Sequence, residues 1–336
     1  MKSNYWVMLL CLLASGFIGC SDDDGDNWKK TFEDEQARIK DFVYSKDSDP
    51  KIFKYHYTYL KEDIEDYAYL FNYQKEGKKA TYGDFVWINY TQKSLTGSII
   101  DSSDPSVAVG AGVSPYYTLG GPILMQMNTD AEKYIDPLSD ILMNIPEGTT
   151  GSSIVSSIMS LSSALVYRDY TVESIVEEDN LLDYEKSMIG RYFADNNLDV
   201  FKEVPLHEGK TDTVALIAKT KENASGVFVQ ATDSVTVWAE GRILDELNPS
   251  SRQATRTGFS SDDVVTWYLP DMIKGISLTL PELKVGEEAT ILFSSGMGYG
   301  YRGSRNYDGT YVVPAYSTLL FKVKIVDTKE NPKKDK

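Results

Sequence analysis

Asp233-Ser234-Val235-Thr236-Val237-Trp238-Ala239 places Val235, Val237 and Ala239 on alternate positions, the period of two that marks a half-buried strand of an antiparallel sheet. Asp84-Phe85-Val86-Trp87-Ile88-Asn89-Tyr90, 149 positions earlier, opens on the same residue and the same kind of run. Each run is preceded by a helical pattern. Phe32-Glu33-Asp34-Glu35 through Val43 sets Ile39, Phe42 and Val43 on one face, and Tyr184-Glu185 through Asn196 does so with Met188, Ile189, Tyr192 and Phe193. The chain therefore reads as two copies of one plan, a helix followed by a β-rich domain, over about 31–178 and 180–328. A length of 336 residues agrees with two domains.

In the second copy Ala289 to Phe293 reads as a further strand, and Leu319, Phe321, Val323 and Ile325 alternate with Leu320, Lys322 and Lys324. Between these strands, Pro270-Asp271-Met272-Ile273 with Ile276 and Leu280 has helical spacing behind an aspartate placed to cap it. The first copy offers Pro137-Leu138 with Ile141 and Leu142, entered at Asp136, with proline at the first helical position. One short helix within an antiparallel sheet is an α+β fold.

The N-terminal MKSNYWVMLLCLLASGFIGC carries one cation, a short apolar run and small residues before a cysteine. That is the plan of a secretory signal over residues 1–19, too short to stay as a membrane-spanning helix. Phe17-Ile18-Gly19-Cys20 resembles a lipobox, with Phe17 where leucine is usual. The resemblance implies that Cys20 is lipidated and begins the mature chain, since more than one acyl chain gives lasting attachment. An ordinary signal peptide with an incidental cysteine is the alternative. Ser21-Asp22-Asp23-Asp24 resembles the acidic tag that sends some Gram-negative lipoproteins to the outer face of the outer membrane, and it reads equally as part of a solvated tether over 20–30. Residues 329–336 read as a charged tail.

Cys11 and Cys20 are the only cysteines, so no disulfide is available within the mature chain. A formal charge of −16 argues against a nucleic-acid partner, whose phosphates demand a basic footprint. Glycines at 296, 298, 300 and 303 lack the Gly-Lys-Ser/Thr of a phosphate loop. Serines are abundant, but His56 and His207 stand in no recognisable catalytic setting, which argues against a serine hydrolase.

The second copy runs through Met272-Ile273-Lys274-Gly275, Leu283-Lys284-Val285-Gly286-Glu287-Glu288-Ala289, Gly298-Tyr299-Gly300, Val312-Val313-Pro314 and Ser317-Thr318-Leu319-Leu320-Phe321-Lys322-Val323. This order resembles the FKBP-type peptidyl-prolyl isomerase family. The resemblance implies two FKBP-like domains, each an antiparallel sheet wrapped on a short helix. It implies that the Tyr299 hydroxyl and the Val313 backbone N–H bond substrate. It also implies a pocket walled by Trp267, Met272, Ile273, Ile276 and Phe321. In the first copy, Tyr90-Thr91 and Ile100-Asp101-Ser102-Ser103 are similar to the family's Y-T-G and F-D-S-S segments, and Leu138 stands at the pocket-floor position. The Tyr-Gly loop and the I-P turn are missing there, so the first copy is expected to lack a complete pocket.

Such a pocket needs no acid, base, metal or cofactor. It lowers the barrier to rotation about an X-Pro bond, roughly 18–20 kcal/mol for an unassisted peptide, by favouring the twisted amide in apolar surroundings. The second copy departs from the pattern at Ile276, where the family has tryptophan, at Ala239, where it has tyrosine, and at Leu247-Asn248-Pro249-Ser250 with an insertion through Phe259. Two readings follow: an envelope prolyl isomerase acting on X-Pro peptides or unfolded exported proteins, or a non-catalytic surface lipoprotein binding peptide, protein or glycan. A purely structural subunit of a surface complex is a third. The sequence sets no oligomeric state.

Overall fold

The structure is a computed structural model that describes residues 27–112, 121–128, 135–160, 165–207, 214–244, 264–305 and 311–330. Cys20, the acidic run behind it and the segment 247–259 lie outside these residues. Its strands are β1 Lys51–Tyr59, β2 Glu62–Phe71, β3 Phe85–Ser94, β4 Ile99–Ser102, β5 Ile123–Gln126, β6 Thr149–Ile154, β7 Val166–Val176, β8 Lys202–Pro205, β9 Val214–Lys221, β10 Asp233–Leu244, β11 Val264–Tyr268, β12 Glu288–Phe293, β13 Ser304–Arg305, β14 Tyr311–Val313 and β15 Thr318–Glu330. The helices are α1 Asn27–Lys46, α2 Pro105–Gly110, α3 Pro137–Leu142, α4 Ser157–Ser160, α5 Leu181–Asp195 and α6 Lys274–Ser277.

Two antiparallel sheets result. The first is ordered β1-β2-β6-β7-β3-β4, with β5 also paired to β3, and the second β8-β9-β12-β15-β10-β11. Through β1-β2-β6-β7-β3 and β8-β9-β12-β15-β10 the order is the same, and β11 pairs with the start of β10 as β5 does with the start of β3. The repeat extends to details: Asp84 and Asp233 each accept the backbone N–H three residues before, from Thr81 at 2.8 Å and Gln230 at 2.9 Å. Three residues after each aspartate the ladder slips by one, between Trp87 and Ile88 and between Thr236 and Val237. An aspartate turn and a bulge thus start the central strand in both copies.

Each sheet lies between a short and a long helix. Ile141 and Leu142 of α3 pack with Leu70, Val86, Ile88 and Val172, while Ile39 and Val43 of α1 cover Tyr69, Phe71 and Ile154 on the opposite face. In the second copy Ile276 packs with Val235, Val237, Ile291 and Phe321, and Met188, Ile189 and Phe193 of α5 cover Leu292 and Leu320. The α+β plan read from the alternation is the one found. A carboxylate on each long helix also ties down the chain leaving the strand: Glu35 accepts the Ser157 N–H at 2.6 Å, and Glu185 the Ser295 N–H at 2.7 Å.

Several local expectations are corrected. Asp136 does cap α3, accepting the Ser139 N–H at 3.2 Å. The second short helix, by contrast, is a single turn from Lys274, flanked by 3-10 turns Leu269–Asp271 and Leu280–Glu282, and Asp271 caps nothing. Pro270 and Pro281 sit in the first turns of those 3-10 segments, where their fixed φ favours a new start over a continuing helix. The first helix begins at Asn27, inside the stretch read as tether, because Trp28 packs edge-on against Tyr59 at 5.3 Å and Lys29 pairs with Glu62. The final strand runs to Glu330, two residues into the stretch read as tail. The strand that opens at Asp233 continues to Leu244, paired with β15 along its length.

Candidate functional site

Trp267, Ile276, Val313 and Phe321 are buried in one cluster beneath the second sheet, with Met272 and Ile273 half-buried against it. Phe321, opposite Gly241 in the β10–β15 ladder, meets Trp267 edge-on at 6.4 Å. On its other side it stacks against Phe293, ring planes 10° apart and centroids 5.7 Å apart. Phe293 is fully buried and lies on Gly275: a Cβ there would stand under 3.0 Å from the ring. The glycine of the M-I-x-G segment is thus explained by close approach. Phe293 brings an aromatic ring against Phe321 in the cluster where Ile276 supplies none. Its inward phase with Ala289 and Ile291 is the sequence signal for that place.

Tyr299 follows a 3-10 turn, Ser295–Met297, whose entry is fixed by Glu185. Glu185 is 2% exposed and also accepts the Thr318 hydroxyl at 3.0 Å. Burial raises its pKa, against the pull of these hydrogen bonds. Tyr299 itself stands outside the buried cluster, 36% exposed. Loss of solvent raises its phenol pKa, and its hydroxyl bonds to no described residue.

Val313 pairs with Ser304 in the two-stranded ribbon β13–β14, and its side chain is in the core. Three residues on, Tyr316 adopts a left-handed backbone, φ 56°, unusual for a bulky residue. Its N–H donates to the Gly300 carbonyl at 2.9 Å, tying the Val313 turn to the Tyr299 loop. Its ring leaves the second domain altogether, meeting Phe85 edge-on at 4.8 Å, and its hydroxyl donates to Gln126 Oε1 at 2.6 Å. Phe85, Trp87, Leu124 and Val176 form the first-domain side of that contact. Nothing in local pattern could reveal it, since the two surfaces meet only in the tertiary fold.

In the first domain, the Tyr90 hydroxyl donates to Asp101 Oδ2 at 2.7 Å. Burial and that carboxylate push the Tyr90 phenol up. Tyr90 and Leu138 pack half-buried on the same core. This copy, expected to lack a complete pocket, has an open cavity of about 190 Å³ lined in part by Leu138, Val155, Met159 and Tyr170. The ladders explain it. Counting four residues back along the return strand from the bulge pairs, Ile88 with Val172 and Val237 with Ile325, reaches Arg168 in one copy and Phe321 in the other. Arg168 faces Ser153 where Phe321 faces Ile291, and two residues further stand Val155 and Phe293. The stacked ring pair is replaced by arginine and valine, and space opens. Among the described residues, no group of His, Cys, Asp and Glu could hold a metal.

Residues 226–326 match the sequence profile of the FKBP-type peptidyl-prolyl cis-trans isomerase family. No curated protein matches the chain. Among solved structures, the chain is similar to a peptidyl-prolyl cis-trans isomerase from Pseudomonas syringae at 17% identity and TM-score 0.34, over 45% of this chain and 95% of that one. It is similar to FkpA from Escherichia coli at 18% and 0.31, over 45% of this chain and 60% of that one. With the three FKBP domains of wheat FKBP73 the values are 12% and 0.29, over 79% and 95%. The aromatic stack and the Tyr299 loop both fall within the stretch of the second domain, residues 226–326, that matches the FKBP-type profile.

Proposed function

We propose that the second domain is a peptidyl-prolyl isomerase acting on X-Pro bonds of unfolded exported proteins. The observation that carries this reading is the Tyr299 hydroxyl, partly desolvated yet bonded to nothing in the described protein, beside an aromatic cluster. A substrate carbonyl would complete its hydrogen bonding. The Trp267 and Phe321 rings, backed by Phe293, would give the proline ring apolar contact, in which the twisted amide, with its reduced charge separation, is favoured over the planar one.

The test is exchange NMR on an X-Pro tetrapeptide with the chain from Ser21 onward. Cis/trans exchange should accelerate, and Tyr299→Phe should cut kcat/KM about tenfold, the value of one hydrogen bond near 1.4 kcal/mol. No acceleration at high protein concentration would sink the catalytic reading.

A second reading is favoured by one observation, the replacement of the family's tryptophan by Ile276 with Phe293 closing the floor. In it the domain binds peptide, protein or glycan at the cell surface without catalysis, and proline-rich peptides would bind with no change in exchange rate. Under either reading the chain is lipid-anchored through Cys20 in the outer membrane, facing the cell surface. Loss of acyl labelling in Cys20→Ser, and protease access to intact cells, test that placement.

A further inference from the structure

The first-domain cavity differs in kind from the buried aromatic cluster of its sister. Leu138, Ile141, Val155 and Met159 give it apolar walls, while Arg168 and Tyr170 bring a guanidinium and a phenol into the lining. Arg168 donates through Nε to Gln92 Oε1 at 2.9 Å, and its guanidinium lies against the Tyr170 hydroxyl. Both contacts are with neutral groups. The carboxylates nearby are engaged elsewhere: Asp169 with Lys93 and Ser152, both at 2.6 Å, Asp101 with Tyr90, and Asp136, also in the lining, with the Ser139 hydroxyl at 2.6 Å. Among the described residues, none forms an ion pair with Arg168. In a chain of formal charge −16, a half-buried cation with no ion pair among the described residues stands at the edge of a cavity whose walls are largely apolar.

An arginine presents its terminal N–H groups in a fork that fits a carboxylate. The cavity, about 190 Å³, has room for roughly six waters at about 30 Å³ each, the space of one aliphatic side chain with its carboxylate. We propose that the first domain is a binding site for an apolar carboxylate, its acid on Arg168 and its aliphatic body between Leu138 and Met159. A free small acid and the C-terminal residue of a polypeptide share that chemistry.

The test uses the full chain from Ser21 with three probes: N-acetyl-leucine, its amide, and a pentapeptide ending in free leucine. In 13C- and 15N-edited NMR spectra, the acid or the peptide should shift the Leu138 and Ile141 methyls and the Arg168 Nε–H. The amide should bind at least tenfold more weakly, and Arg168→Met should erase that preference while Arg168→Lys keeps part of it. Tighter binding of the peptide assigns the site to a chain terminus, and equal or tighter binding of the acid to a free ligand. Equal binding of acid and amide, no shifts at millimolar acid, or shifts confined to the second domain would overturn the proposal. The acid-to-amide comparison needs no variant, so it decides the matter even if Arg168→Met fails to fold.

Discussion

Gly275→Ala is a small change aimed at the most tightly closed point of the second domain. The new Cβ would stand less than 3.0 Å from the Phe293 ring, whereas carbon atoms in contact rest about 3.5–4.0 Å apart. The ring must therefore retreat by roughly 1 Å. It has nowhere to go: Phe293 is fully buried and stacked on Phe321, and Phe321 lies against Trp267 on one side and within 2.9 Å of where a Gly241 Cβ would be. Overpacking of this sort costs about 1–3 kcal/mol. The helical preference of alanine over glycine returns at most about 1 kcal/mol, and less in a helix of one turn. A net loss near 2 kcal/mol is expected in urea unfolding followed by the Trp267 and Trp238 fluorescence, with the pocket floor tilted and peptide binding weakened. Phe293→Leu, destabilising by itself, should relieve the clash when combined with Gly275→Ala, giving a coupling energy above about 0.5 kcal/mol in a double-mutant cycle. A stability change within about 0.5 kcal/mol for Gly275→Ala, or strict additivity with Phe293→Leu, would refute the account of the floor.

Tyr316→Phe removes the 2.6 Å hydrogen bond to Gln126 while keeping the ring contact with Phe85. The loss should be about 1 kcal/mol, read as faster hydrogen exchange at the Tyr316 amide, which is bonded to Gly300, with first-domain strands unaffected. For Glu185 the folded pKa is raised by burial above its ordinary value of 4.5. Its favourable contribution is fully present below about pH 4.5 and is lost as pH rises through the folded value. Glu185→Gln keeps an acceptor for Ser295 and Thr318, so calorimetry from pH 4.5 to 8 should show the variant gaining Tm relative to wild type as pH rises; a constant difference would remove Glu185 as the titrating group. Asp136→Ala deletes the cap on α3 and should cost about 1 kcal/mol in the first domain, measured by the same urea titration.

The duplication and the α+β plan were legible because they rest on local repetition: the aspartate before each central strand, the period of two behind it, and the long helices with one apolar face. That Trp267, Ile276 and Phe321 meet in one buried cluster was legible for the same reason, since they fall in phase on strands and helix. Tyr299 was legible through its glycine neighbours. What stayed hidden depends on contacts across the fold. Phe293 acts as the floor only because Gly275 comes against its face from another element. Arg168 shares the phase of the buried Val166, Tyr170 and Val172, and only the ladder shows that it stands in the place of Phe321. The overlong helix around Asp271 was a failure of periodicity itself: apolar residues at helical spacing were distributed over two 3-10 turns and one α-turn, broken at Pro270 and Pro281.

The contact of Tyr316 with Phe85 and Gln126 has a consequence for the history of such a chain. After a duplication, a copy that has lost its own function is normally free to drift or be deleted. Here deletion of the first copy would bare an aromatic ring and unfasten a turn in the second, so the two copies can no longer be inherited separately. Drift in the first copy is then uneven: tight at Phe85 and Gln126, which serve the neighbour, and free at the position matching Phe321, where an arginine could take root and a different ligand find room.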